Sequence, residues 1–317
     1  MMYRKRIIHF ILTTALSVLL ISSLCGCASN QPLPGIDASN IDTCTLTIPG
    51  ISKDYDLLFL TDSHIVIPDE TADPEIRNYS EERLAHFTEE SGCISSELFT
   101  AWMDYANQTR PDALLLGGDI IDSPSSANVS YLNSSLERLD IPYLYTLGNH
   151  DWTYPWDYMT ETGTEEYLPL LAPYMDTNTA IHMLELDEFI LVAVDNSNNQ
   201  IHPDALEEYR QILSRKKPVI LLLHVPFYTE ELLTKTSAVW TNGVVLGGGI
   251  HGGIYPNDIS AQFMSFTTAA DSPVAAVIAG HVHLSDESVI DGEKDIPQIV
   301  GDAGYKGKGT LIHITAG

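Results

Sequence analysis

From about Leu46 onward, short runs that are apolar at every position alternate with stretches whose apolar residues recur at helical spacing. The runs are Leu57 to Leu60, Ala113 to Leu116, Tyr143 to Tyr145, Phe189 to Val194, Val219 to Leu223 and Val274 to Ile278. A brief run without polar alternation predicts a strand buried on both faces. Between the runs, Val129, Leu132, Leu136 and Leu139 mark one helical face. Leu206, Tyr209 and Leu213 mark another, opened by Pro203 in the first turn. Strands alternating with helices predict an α/β fold, here a layered sandwich. No repeat or shift of composition interrupts residues 46–317, which read as one domain.

Two connections carry more polar chain than a minimal α/β unit needs. Residues 68–108 form an insertion, helical at least from Ser95 to Asn107. Residues 229–272 contain a glycine-rich stretch, Gly247 to Gly253. Long connections of this kind tend to shape binding sites.

The chemistry follows the strands. After Leu60 comes Thr61-Asp62-Ser63-His64, and after Leu116 comes Gly117-Gly118-Asp119-Ile120-Ile121-Asp122. Gly148-Asn149-His150-Asp151 follows Tyr145 after two residues, His224 follows Leu223, and Gly280-His281-Val282-His283 follows Ala279. Ligands of open α/β sheets collect at the carboxyl ends of strands, so five ends bearing metal-binding residues form a spatially plausible site. The donors mix carboxylate, amide oxygen and imidazole without thiolate, which suits manganese, iron or zinc.

In this order, Asp-x-His, Gly-Asp-x-x-Asp, Gly-Asn-His-Asp, a lone His and Gly-His-x-His resemble the signature of the calcineurin-like metallophosphoesterases. The resemblance runs from Asp62 to His283 and implies an α/β/β/α sandwich of mixed sheets with a dimetal site at the strand ends. It implies that Asp62, His64 and His283 hold one metal ion and Asn149, His224 and His281 a second. Asp119 would bridge them, one oxygen to each ion. Two such ions can acidify a shared water, and the resulting hydroxide would be the nucleophile for a phosphomonoester or phosphodiester. His150 would stabilise the transition state or protonate the leaving oxygen, with Asp151 orienting its ring. Asp122 also fits the pattern, but reads as a turn or cap residue before Ser123-Pro124.

Other residues carry weaker signals. His251 in the glycine-rich loop and the aromatics from Trp152 to Trp156 could meet a substrate, though packing is the commoner use of such residues. Arg77 and Arg83 could contact phosphate or simply line a solvated helix. Asp195 reads as a strand-end turn residue, and His86, His182, His202 and His313 as structural or surface groups. Cys44 and Cys93 could pair, but two cysteines make no disulfide framework.

The first residues stand apart from the fold. Arg4-Lys5-Arg6 precedes an uncharged apolar run from Ile7 to Leu24, the layout of a signal peptide. Leu24-Cys25-Gly26-Cys27 resembles a bacterial lipobox and assigns the acyl chains to Cys27, with small Gly26 before the cut. The alternative is an uncleaved membrane helix, since the run is just long enough to span a bilayer. Either way the body is exported and held at the membrane, with residues 28–45 as a tether.

Charge narrows the substrate. There are 43 acidic residues against 16 basic ones, a net charge of −27, and removal of Arg4 to Arg6 makes the balance more negative. Such a surface repels polyanions, which favours a small phosphorylated substrate over nucleic acid. A nuclease of the same superfamily is therefore the disfavoured alternative. A catalytically silent surface lipoprotein that binds phosphate compounds is the alternative from outside the enzymes. Cys27→Ser is expected to abolish labelling by a fatty-acid probe and leave an uncleaved precursor, whereas Cys25→Ser leaves both unchanged. Equal labelling of the two variants would refute the assignment.

Overall fold

The computed structural model describes residues 35–69, 74–89, 92–153, 160–241 and 244–317. The signal segment, Cys27, the tether through residue 34 and Tyr154 to Trp156 of the aromatic run lie outside the described residues. In chain order the strands are β1 (Ile41–Ile48), β2 (Tyr55–Leu60), β3 (Ala113–Leu116), β4 (Tyr143–Tyr145), β5 (Ile181–Glu185) and β6 (Ile190–Val194). They continue as β7 (Val219–Leu222), β8 (Val274–Ala279), β9 (Asp286–Ile290), β10 (Ile296–Val300) and β11 (Gly309–Ala316). The helices are α1 (Pro74–His86), α2 (Ser95–Thr109), α3 (Ser126–Leu136) and α4 (Asn149–Thr153), then α5 (Glu161–Leu171), α6 (Ala205–Ser214), α7 (Glu230–Ser237) and α8 (Asp258–Thr267). Among the described residues no helix is long and apolar enough to cross a membrane.

The strands form two mixed sheets, ordered β1-β11-β2-β3-β4 and β5-β6-β7-β8-β10-β9. Successive side chains of a strand point to opposite faces, so an unbroken apolar run needs a partner on each side. β2 shows both. Leu57 and Phe59 join Leu191, Ala193, Ile220, Leu222 and Ile278 of the second sheet in a core between the sheets. Leu58 and Leu60 face outward against Phe99, Trp102 and Met103 of α2 and Leu132 of α3. The second sheet likewise turns Ile190, Val192, Leu221 and Val277 toward Tyr209 of α6 and Phe263 of α8. The layers are therefore α/β/β/α, as expected.

All six apolar runs are strands, but among the described residues five more strands lack that signature. β1, β5 and β9 lie at sheet edges and bury only part of their residues, and β10 carries Pro297 and buried Gln298. β1 also corrects the tether boundary, because Ile41 to Thr45 pair in register with β11 from Gly309 onward. β11 runs antiparallel to β2 and parallel to β1, so β1 begins at the end of the sheet where β2 stops. Pro203 does not open α6 from its first turn but precedes the N-cap position, Asp204, whose side chain makes no capping hydrogen bond.

Leu57→Ala, in the layer between the sheets, is expected to cost roughly 2–5 kcal/mol through lost burial and a residual cavity. Urea unfolding should show it as a lowered midpoint with an unchanged slope.

Candidate dimetal site

The strands β2, β3, β4, β7 and β8 all stop at one edge of the sandwich, and the loops that leave them are stitched together by backbone. The Asp62 and His64 amides donate to the carbonyls of Gly118 and Asp119, both at 2.9 Å. The His281 amide donates to Asp62 Oδ2 at 2.9 Å, and Thr61 Oγ1 donates to the same oxygen at 2.7 Å. Asp62, His64, Asp119, His281 and His283 all have left-handed backbone, with φ between 43° and 72°. Asp and His tolerate that region better than bulkier residues, yet each instance costs about 1–2 kcal/mol. Strain concentrated on one cluster of polar residues marks a functional site.

The seven side chains expected as ligands converge. His283 Nε2 lies 3.3 Å from Asp62 Oδ1 and 3.1 Å from His64 Nε2. His224 Nε2 lies 3.3 Å from Asn149 Oδ1 and 3.1 Å from His281 Nδ1. Asp119 Oδ2 sits between the two groups, 3.3 Å from His224 Nε2 and 3.8 Å from His64 Nε2. Asp119 Oδ1 is occupied by the His150 amide at 2.7 Å. Oδ2 thus stands within reach of both groups, while Oδ1 accepts a backbone donor from the loop after β4.

The donor set fits a pair of cations. Imidazole nitrogens face each other at 3.1 Å in both groups, and buried Asp62 Oδ1 accepts no hydrogen bond. His224 Nδ1 contacts the Gly117 carbonyl at 2.8 Å and His64 Nδ1 contacts Asp122 Oδ1 at 3.2 Å. Partners on Nδ1 orient each ring with Nε2 inward. Burial pushes His64 down to about 4 and, helped by the charge of His224, His281 down to about 3. Both rings are therefore neutral at pH 7, the form that binds metal. Burial opposes charge on His224 too, but Asp119 outweighs it and raises that ring to about 9. The pocket stabilises positive charge.

The structure exchanges the roles expected of two aspartates. Asp151 does not orient His150. Its buried carboxylate accepts the backbone N–H groups of Asp119, Ile120, Ile121 and Gly148 at 2.7–3.0 Å. It ties the loop after β3 to the loop after β4. Gly148 is required there, since a Cβ would fall on the Asp119 amide and carboxylate. Asp122, expected as a cap residue, instead lies with Oδ1 2.9 Å from His150 Nδ1. Burial works against a charged His150, but Asp119 and Asp122 outweigh it and raise its pKa. His150 also stands within ligand reach of His64 and Asp119, so metal content must distinguish acid from ligand.

Several residues without a sequence signal complete the surroundings. Asn196, after β6, accepts the amides of His224 and Val225 on Oδ1 and donates Nδ2 to the Val225 carbonyl, fixing the His224 loop. Phe87 stacks on His64 with ring centroids 4.2 Å apart, and Trp240 and Tyr305 flank His283 at 5.4 Å. His251 stacks on Tyr228, in a loop closed by the approach of Gly248 to Gly253 at a distance no side chain would fit. Trp152 packs inward, donating Nε1 to Ser197 Oγ at 2.8 Å, while Asp195 accepts from the same serine. Cys44 and Cys93 do not form a disulfide with each other. His313 contacts Asp56, and His182 is buried.

A family model for calcineurin-like phosphoesterases matches residues 55–285. A probable cyclic nucleotide phosphodiesterase of Synechococcus sp. is 26% identical over 136 residues, 43% of this chain and 50% of that protein. The chain thus spans about half the length of this relative. Among solved structures, a dimetal phosphatase from Danio rerio aligns with a TM-score of 0.47 at 12% identity, covering 80% of this chain and 88% of that one. The NAD nucleotidase of Haemophilus influenzae aligns with a TM-score of 0.41 at 12% identity, covering 80% of this chain and 51% of that one.

Asp119→Asn removes the negative charge that the carboxylate presents to both ligand groups. At least one equivalent of metal should be lost, measured by plasma emission spectroscopy on the purified protein, together with nearly all turnover. Full occupancy with ordinary turnover would show that Asp119 serves neither group.

Proposed function

The chain belongs to the calcineurin-like phosphoesterase family, and on that premise we propose that it hydrolyses phosphoester bonds of small phosphorylated molecules at a dinuclear metal site. The observation that carries this reading is the place of Asp119 Oδ2, within reach of both ligand groups at once. Asp62, His64 and His283 would hold one ion, Asn149, His224 and His281 the other, with Asp119 shared. Bound there, two ions of manganese, iron or zinc supply Lewis acidity to the phosphoryl oxygens and lower the pKa of water.

The chain's own groups account for the remaining chemistry. Hydrolysis forms one P–O bond to the oxygen of water and breaks another to the leaving oxygen, which needs a proton as it departs. His150 is placed to give it. Its Nδ1 faces Asp122, leaving Nε2 as the donor atom. Its backbone N–H holds Asp119 Oδ1, so the same residue anchors the shared carboxylate and donates the proton. Asn149 and His150 are neighbours at the start of α4, which turns their side chains apart.

The acidic surface supports a small substrate over a nucleic acid. The lipobox-like segment supports an exported protein held at the outer face of the cell membrane by acylated Cys27. A panel of monoesters and diesters, offered to soluble residues 28–317 with manganese, iron or zinc, separates an enzyme from a silent binding protein. His150→Ala should lower kcat by about 10²–10⁴-fold on esters with ordinary leaving groups and retain both metals. The loss should shrink for nitrophenyl esters, whose leaving group needs little protonation. Asn149→Ala should instead lose metal along with rate. Emptying of a metal site in His150→Ala would make His150 a ligand, and an equal loss on good and poor leaving groups would remove its role as acid.

A further inference from the structure

Asp122 is a buried carboxylate, its side chain 2% exposed, with three nitrogen-bearing neighbours. Oδ1 lies 3.2 Å from His64 Nδ1 and 2.9 Å from His150 Nδ1, so one oxygen serves both a candidate ligand and the proton donor. The third neighbour comes from the insertion. Near the end of α1, Arg83 donates Nε to Asp122 Oδ2 and Nη2 to Oδ1, both at 2.8 Å. We propose that Arg83 is a positioning residue for the hydrolysis, aligning His150 through Asp122. The inference rests on the reading of His150 as the acid.

The physical case begins with the freedom of a carboxylate. One contact leaves it free to rotate about its Cβ–Cγ bond, and rotation would carry Oδ1 away from both imidazoles. A planar guanidinium with two parallel donors fixes both oxygens at once. The fork is itself braced. The Arg83 guanidinium lies 4.7 Å from the centre of the Phe87 ring, and Phe87 is stacked on His64. Guanidinium, phenyl ring, candidate ligand imidazole and carboxylate thus form a closed ring of contacts around Oδ1. The side chain of Arg83 is 18% exposed, so the tie reaches from the rim of the site to its interior. It also explains what α1 contributes, since this helix has no place in either sheet and carries few apolar residues.

A merely structural ion pair would affect stability without choosing between substrates. Positioning of the acid predicts a selective loss. Arg83→Met should lower kcat roughly 10–100-fold on poor-leaving-group esters, the range seen when partners behind an active group are removed. KM and metal content should stay near wild type, and nitrophenyl esters should be affected far less. Arg83→Lys, which keeps the charge but not the fork, should recover only part of the loss and guards against a folding defect in the first variant. A second readout uses the metal-free protein. The low-field imidazole N–H proton signal that disappears in His150→Ala should also weaken or move upfield in Arg83→Met. Equal loss on both ester types, loss of metal, or an unchanged N–H signal would overturn the proposal. If His150→Ala itself shows no leaving-group dependence, the acid reading fails. If His150→Ala shows it and Arg83→Met does not, the positioning role alone fails.

Discussion

A carboxylate sealed from solvent and gripped by four backbone N–H groups ties together the loops on which the site is built. Asp151 takes three donors from Asp119, Ile120 and Ile121 and a fourth from Gly148. A hydrogen bond of this kind contributes about 0.5–1.5 kcal/mol net, and leaving a buried N–H without its acceptor costs about 1–3 kcal/mol. An amide could not replace it, because its NH₂ group would face N–H donors. Through this one side chain Asp119, Asn149 and His150 acquire fixed relative positions, although 30 residues separate the first from the second. Burial and the nearby charge of Asp119 push the Asp151 pKa up, against the pull of the backbone donors.

That clamp makes the surrounding strain sustainable. Five of the seven expected ligands sit in left-handed backbone, at an aggregate cost of at most about 5–10 kcal/mol. The loops cannot relax, because they leave strands whose inner and outer faces are both packed. Leu57 and Phe59 are fixed between the sheets while Leu58 and Leu60 are fixed against α2 and α3. Sheet packing thus supplies the rigidity that holds these side chains about 3 Å apart.

Much of this was legible from residue order, for a definite reason. Strands buried on both faces read as unbroken apolar runs, and the residues that follow them must gather at one edge of the sheet. Asp62, His64, Asp119, Asn149, His224, His281 and His283 are all found there. Adjacency misled where side-chain direction matters. Asp151 neighbours His150 in sequence but turns to the backbone, whereas Asp122, 28 residues earlier, faces the ring. Partly buried edge strands such as β1 hide in polar alternation, and Asn196 has no motif because it recognises only the backbone of another loop.

The pairing of β1 with β11 has a consequence for how the molecule is approached. β1 starts beside Gly309, and the Asn40 side chain donates to the Gly307 carbonyl two residues beyond Tyr305, whose ring flanks His283. The chain therefore enters the sandwich on the same rim as the catalytic mouth, and not at the opposite pole. A label or partner protein attached by design just ahead of Ile41 would therefore be joined to the sandwich at that rim.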